Sequence, residues 1–130
     1  MTAKTLILLS MSRFISISSS TEMLRIPSGV LMYITAEGNY SEIYLQDGTH
    51  RLVSFQLGQM VDLLEEQLGE DDSPFIRIGK SLIVNRDFIY RIDVSEQELI
   101  VSDWSGKYKS IKASRKALIM LKLILENTAI

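Results

Sequence analysis

The sequence predicts a mainly β chain with one short internal helix and a C-terminal helix. Three observations carry that reading. Short apolar stretches rich in Ile, Val, Phe and Tyr recur along the chain, separated by polar or glycine-containing breaks. One break, Asp47-Gly48, is a strong hairpin signal, because both residues tolerate positive φ. Only two segments, one ending at Leu68 and one opening near Ser114, space their apolar residues at helical intervals.

Phe14-Ile15-Ser16-Ile17-Ser18 alternates with period two, as a strand with one wet face does. Ser18 to Thr21 turns the chain, Met23 to Ile26 returns it, and Pro27-Ser28-Gly29 stops it. Val30 to Ile34 is a core strand, and Glu37-Gly38-Asn39-Tyr40 is the loop after it. Ser41 to Gln46 pairs with His50 to Val53 across Asp47-Gly48. Ser54 is the expected cap of a helix beginning at Phe55. Leu57, Met60, Val61, Leu64 and Leu68 form its apolar stripe, with Glu65, Glu66 and Gln67 opposite. Gly69 to Pro74 is an acidic loop. Phe75 to Ile92 is the most apolar long stretch and holds two core strands around Gly79-Lys80-Ser81, with a second break at Asn85-Arg86-Asp87. Val94 to Gln97 turns into the strand Glu98 to Val101. Ser105-Gly106 turns into the strand Tyr108 to Ile111. Ser114 caps the last helix, which runs to about Glu126. Ile119, Met120 and Leu123 make that helix apolar on nearly every side, the mark of one buried or shared with a partner. The total is about nine strands and two helices.

A chain of 130 residues is the size of one domain and can bury a core without cross-links. It has no cysteine, which excludes thiolate metal sites and a cysteine nucleophile and permits a reducing compartment. Lys4 and Leu6-Ile7-Leu8-Leu9 imitate a signal peptide faintly, but the run is short and Arg13 interrupts it. No stretch has the length of a membrane span. The expectation is a soluble, cytoplasmic chain, with residues 1–13 as an arm or extra strand and residues 14–130 as one domain.

The net charge is −2, but its distribution is uneven. Residues 1–76 carry 4 Lys/Arg against 10 Asp/Glu, and residues 77–122 carry 10 against 5. An acidic chain can therefore present a basic face, and the local face sets the field a partner meets. On charge alone, ordinary solubilising residues explain the pattern equally well.

Catalytic chemistry finds no support. His50 is the single histidine and sits at a hairpin, without the spacing of a metal site. No phosphate loop, dinucleotide-binding glycine pattern or serine–histidine–aspartate arrangement is readable. The carboxylates cluster in solvated loops, which leaves paired acid–base work unsupported. No catalytic residue, metal, cofactor or small-molecule substrate is expected.

Three loops suit binding. Asn39 could make a bidentate contact to an adenine edge, although a turn asparagine satisfying its own backbone is simpler for that loop alone. Lys80 could meet a phosphate or a guanine, and Ser81 a phosphate, although a plain β-turn fits Gly79-Lys80-Ser81 as well. The third loop is Lys112-Ala113-Ser114-Arg115-Lys116. With Ser114 as cap, Arg115 and Lys116 sit in a first helical turn, where cations oppose the macrodipole by about 0.3–1 kcal/mol each. An anion such as DNA in front of them removes that conflict, and Lys107 and Lys109 lie nearby in sequence.

In this order the pieces resemble the LytTR family of bacterial DNA-binding domains. They are Tyr33 to Tyr40, the Asp47-Gly48 hairpin, the helix to Leu68, Phe75-Ile76-Arg77 through Ile83-Val84-Asn85, and Ala113-Ser114-Arg115. The resemblance covers about residues 14 to 125. It implies an elongated arrangement of small antiparallel sheets that sets loops into successive major grooves of duplex DNA, usually on imperfect direct repeats and often with bending. It implies base reading at Asn39, Lys80 and Arg115, with Tyr40, Ser81, Lys107, Lys109, Lys112, Ser114 and Lys116 at the backbone. Two departures stand out. Family members commonly have His-Arg-Ser or His-Asn-Ser where this chain has Gly79-Lys80-Ser81, and lysine is a point charge rather than a planar fork. They also usually carry a receiver or sensor domain upstream, for which the residues before Phe14 are too few, so phosphorylation in cis is not expected.

The leading expectation is a free-standing transcriptional regulator, with a homodimer through the last helix around Leu118 to Leu125. The alternative is a protein-interaction module of the same fold that has weakened or lost DNA binding. The missing histidine, the acidic N-terminal half and the apolar last helix favour it. An RNA binder would need stacking aromatics on an open face, and nothing in the sequence groups the candidates Tyr40, Trp104 and Tyr108.

Overall fold

In a computed structural model that describes residues 13–128, ten strands form three antiparallel sheets around two α-helices. The arm expected over residues 1–13 lies, apart from Arg13, outside the described residues. Strands β1 (Phe14–Ser18) and β2 (Met23–Pro27) make a hairpin. The five-stranded sheet contains β3 (Leu31–Glu37), β4 (Tyr40–Leu45), β5 (His50–Val53), β6 (Phe75–Ile78) and β7 (Leu82–Asn85), in the order β5-β4-β3-β7-β6. Strands β8 (Ile89–Asp93), β9 (Glu98–Ser102) and β10 (Tyr108–Lys112) form the third sheet, with β9 central. Helix α1 (Leu57–Leu68) follows β5, and α2 (Arg115–Thr128) follows β10.

The five-stranded sheet is covered on both faces, and that explains its most apolar strand. Successive strand residues point to opposite faces. In β7, Ile83 enters a core with Ile15, Leu31, Ile43, Met60 and Leu64, which the first hairpin and α1 cover. Its neighbours Leu82 and Val84 enter a second core with Phe88, Leu99, Val101, Leu118 and Leu121, which β8–β10 and α2 cover. All three are therefore buried, and Leu-Ile-Val shows no alternation. In β3 a bulge between Leu31 and Tyr33 lets consecutive Met32 and Tyr33 both serve the second core.

Three expectations change. The cap of α1 is Gln56 rather than Ser54: the Gln56 N–H donates to Gln59 Oε1 at 2.8 Å in a capping box. Ser41 Oγ donates to Phe55 O at 2.7 Å, holding the residue after Ser54 outside the helix. The tenth strand is β8. Buried Asn85 accepts from the Asp87 N–H at 2.9 Å, caps a 3-10 turn over Arg86–Phe88 and redirects the chain into another sheet. Finally, α2 is buried on one side only. Leu118 and Leu121 pack inward, whereas Ile119, Met120 and Leu123 are exposed.

The first hairpin is clamped to the end of α1. Gln67 substitutes for a strand neighbour, accepting from the Ser16 N–H at 2.7 Å and donating to Ser16 O at 2.8 Å. Arg13 Nη1 donates to Leu68 O at 2.7 Å, placing a cation where the helix dipole favours one. Among the described residues no helix is long and apolar enough to cross a membrane.

Candidate nucleic-acid interface

Strand β3 ends at Glu37, turns through Gly38-Asn39, and returns as β4 from Tyr40. Gly38 adopts φ +63°, and a Cβ there would meet nothing within 4 Å. The backbone conformation, rather than crowding, therefore calls for glycine. Asn39 is exposed, and its Oδ1 accepts from Gln56 Nε2 at 3.3 Å. The helix cap thus touches the asparagine, and among the described residues its side chain makes no hydrogen bond to its own backbone.

Strand β7 runs antiparallel to β3, with Leu82 opposite Thr35. The loop before β7 therefore lies at the same end of the sheet as the Gly38-Asn39 turn. The Ala36 N–H donates to Ser81 O at 2.9 Å and ties the two together. Gly79 adopts φ +61°, and its carbonyl accepts from Arg77 Nε at 3.1 Å. Lys80 and Ser81 are exposed, and Lys80 makes no ion pair among the described residues. Arg77 also lies over the start of α1, its Nη1 3.9 Å from where a Cβ on Gly58 would sit. Sequence reasoning missed Arg77 and Gln56 as members of this cluster. The available signal for Arg77 was one charged residue between Ile76 and Ile78, an outward position on an otherwise apolar strand.

Ser114 caps α2 as expected, its Oγ accepting from the Ala117 N–H at 3.2 Å. Arg115 and Lys116 are exposed in the first turn and make no ion pair among the described residues. Two residues on, Ala117 lines a cleft whose other wall includes Ile78 and Gly79. Tyr40 is exposed beside the first turn, and Lys112 is exposed at the end of β10 opposite Glu98.

Lys107 and Lys109 go elsewhere. With Gln46, Gly48 and Thr49 they line a crevice beside the β4–β5 turn, at the end of the sheet away from Asn39 and Lys80. There Asp103 is held ionised: the N–H groups of Ser105 and Lys107 and the nearby Lys107 charge keep its carboxyl below the usual range. The aromatics are also redistributed. Tyr90 packs edge-on against Tyr108, centroids 4.9 Å apart, and against Trp104 at 6.4 Å, so two of the candidates that looked ungrouped share one exposed cluster. Trp104 has φ +61°, and its Nε1–H donates to Asp87 O at 2.8 Å. Tyr40 stays apart from them. His50 is a surface residue, 2.6 Å from Glu42 Oε1. Among the described residues no group of three or more His, Cys, Asp or Glu side chains gathers to hold a metal ion.

This architecture is similar to that of known proteins. A family model described as the LytTr DNA-binding domain matches residues 21–126. Among solved structures, the LytTr DNA-binding domain of a Bacillus cereus protein described as a methyl-accepting/DNA response regulator superposes with a TM-score of 0.60 at 18% sequence identity. That match covers 87% of this chain and 96% of the other. At such identity the structural likeness speaks to the fold alone. No curated protein matches the chain. The family model spans most of the sequence and both helices, and the chain belongs to the LytTR family of DNA-binding domains, a family that binds DNA rather than one defined by catalysis.

Proposed function

We propose that this chain is a transcriptional regulator that binds duplex DNA sequence-specifically. The Gly38-Asn39 turn, the Gly79–Ser81 loop and the start of α2 enter successive major grooves of direct repeats. The Ala36–Ser81 hydrogen bond carries the reading, because it makes two polar turns from distant parts of the chain into one edge. On this reading Asn39, Lys80 and Arg115 meet base edges. Tyr40, Ser81, Lys112, Ser114 and Lys116 approach the backbone, and Arg77 joins them. Lys107 and Lys109 belong to the backbone set only where a bent duplex reaches past the first edge. The setting is the cytoplasm. Selecting bound sequences from a random duplex pool tests the proposal: a recurrent, repeated site is the expected result. Sequence-independent retention, with all of it lost at moderate salt, would reduce the chain to a nonspecific binder.

One observation favours a second reading. Ile119, Met120 and Leu123 leave an apolar stripe on the outside of α2, with exposures of 46%, 57% and 53%. A protein-interaction module would use such a face, and so would a homodimer of the regulator. A gel shift on random duplex at low salt separates module from regulator, since a pure module gives no shift at micromolar protein. Sedimentation of the wild type and of Leu123→Lys tests the dimer. A wild type that stays monomeric at high concentration removes it.

A further inference from the structure

We infer that the outer edge of β6 is a docking site for this chain's own segment Thr5 to Leu9, which joins the five-stranded sheet as an added antiparallel strand. The order β5-β4-β3-β7-β6 puts β6 at an edge, with β7 as its one strand partner among the described residues. The Arg86 N–H donates to Pro74 O at 2.9 Å, and from there Phe75, Ile76, Arg77 and Ile78 stand opposite Asn85, Val84, Ile83 and Leu82 without a shift. Bonded pairs alternate along an antiparallel ladder, so Ile76 and Ile78 are the residues that bond to β7. The backbone N–H and C=O of Arg77 therefore point away from the sheet, and they have no partner among the described residues. The Phe75 N–H, which points the same way, is taken by Ser73 Oγ at 3.2 Å.

Beside that edge lies an apolar cleft. Ile76, Ile78, Ala117, Met120 and Leu121 line it between β6 and α2, and Met120 is left exposed. Its cavity is about 80 Å³, well below the span of small-molecule sites and suited to aliphatic side chains from a neighbouring strand. An open edge beside apolar side chains is a template for another strand, and native proteins cover such edges.

Composition and reach choose the occupant. Leu6-Ile7-Leu8-Leu9 is an unbroken apolar run. A strand in a sheet covered on both faces has that pattern instead of alternation, as Leu82-Ile83-Val84 does in β7. The run also lies close enough. Arg13 O accepts from the Ser28 N–H at 2.6 Å, Ser28 O accepts from Asn85 Nδ2 at 3.4 Å, and Asn85 stands opposite Phe75. The segment thus joins the described chain near the Phe75 end of β6, and Ser10-Met11-Ser12 crosses about 10 Å when extended. Laid back along the edge from there, Thr5 to Leu9 runs antiparallel to β6, the direction of every strand pair among the described residues. Pairing gives the Arg77 backbone its partners and sends alternate aliphatic side chains into the cleft.

Amide hydrogen exchange of the full chain, followed by NMR, tests this. The Arg77 amide is expected to exchange about 100-fold more slowly than an open amide, and nuclear Overhauser contacts should join Thr5 to Leu9 with Phe75 to Ile78. Ile7→Pro combined with Leu8→Pro removes the donors of two adjacent strand positions. Arg77 should then lose its protection while Ile76 and Ile78, bonded to β7, keep theirs, which separates a released edge from a general loss of fold. An Arg77 amide that exchanges freely in the wild type, or stays protected in the doubly substituted chain, would overturn the inference. So would protection that rises with protein concentration, since a second copy would then be the strand that covers the edge. Each of these results leaves the DNA reading as it was, because that reading rests on Asn39, Lys80 and Arg115.

Discussion

The two ends of the five-stranded sheet close their turns in different ways. At the far end, polar side chains are consumed by the fold. Asp47 Oδ1 accepts from the Thr49 N–H at 2.9 Å and the Thr49 hydroxyl at 2.6 Å. Asn85 is fully buried, donates to Leu31 O at 3.0 Å and accepts from Asp87. Gln46 Nε2 reaches across to Asp103 O at 2.9 Å. At the near end, Asn39 has one long contact, Lys80 has no ion pair among the described residues, and the turns are shaped by glycines and one backbone hydrogen bond. A turn that only reverses the chain satisfies its own polar groups. A turn meant for a partner leaves some of them to solvent until the partner arrives.

The contrast can be broken by exchanging its terms. Asn85→Ala takes the buried donor from Leu31 O and the cap from the Asp87 N–H, and should cost about 2–3 kcal/mol in urea unfolding. DNA affinity of the folded fraction should not change. Arg115→Ala should do the reverse. If its guanidinium is bidentate to guanine, affinity falls by about 1–3 kcal/mol and specificity relaxes at one base position, with unfolding unaltered. An unchanged site preference would remove Arg115 from base reading. Gly38→Ala forces a side chain into φ +63° and should cost roughly 1–2 kcal/mol of stability, measured in the same denaturation series. Lys112→Ala should weaken all duplexes alike and flatten the salt slope by about one.

The smallest effect expected is on pH. Hydrogen bonds hold the Asp47, Asp93 and Asp103 carboxyls below their ordinary range. Groups lowered by folding contribute stability that is present above the unfolded value, about 3.9, and lost as pH falls through the folded value. Unfolding free energy should therefore be level near neutrality and decline below about pH 4. Asp47→Asn should shave the decline slightly, whereas Lys80→Ala at the near end should leave the acid limb in place.

Local pattern carried most of the secondary structure. The alternation from Phe14 to Ser18, the Asp47-Gly48 turn, the stripe ending at Leu68 and the Ser114 cap all depend on neighbours within a few residues, and each appears in the structure. The misses depend on distant partners. Ser54 is the better intrinsic cap, yet Ser41 holds the carbonyl of Phe55 from another strand and helix α1 starts later. Strand β8 splits from its apolar run because the Asn85 side chain bonds to Leu31 and to Asp87. Asn39, Lys80 and Arg115 could be named because the order of their loops resembles a family. Gln56 and Arg77 could not, since nothing local links them to Asn39.

By itself the sequence determined which segments pleat, which coil, where the turns fall, and that the basic residues concentrate after Ile76. Periodicity, turn chemistry and charge are properties of adjacent residues, so a linear reading reaches them. Tertiary structure alone decided that Thr35 stands opposite Leu82, which sets the Asn39 and Lys80 turns side by side. It also decided that Lys109 leaves the sheet on the same face as Val101 and that Trp104 meets Tyr90. Those outcomes follow from strand register between distant segments, where a slip of one residue would send each side chain to the other face.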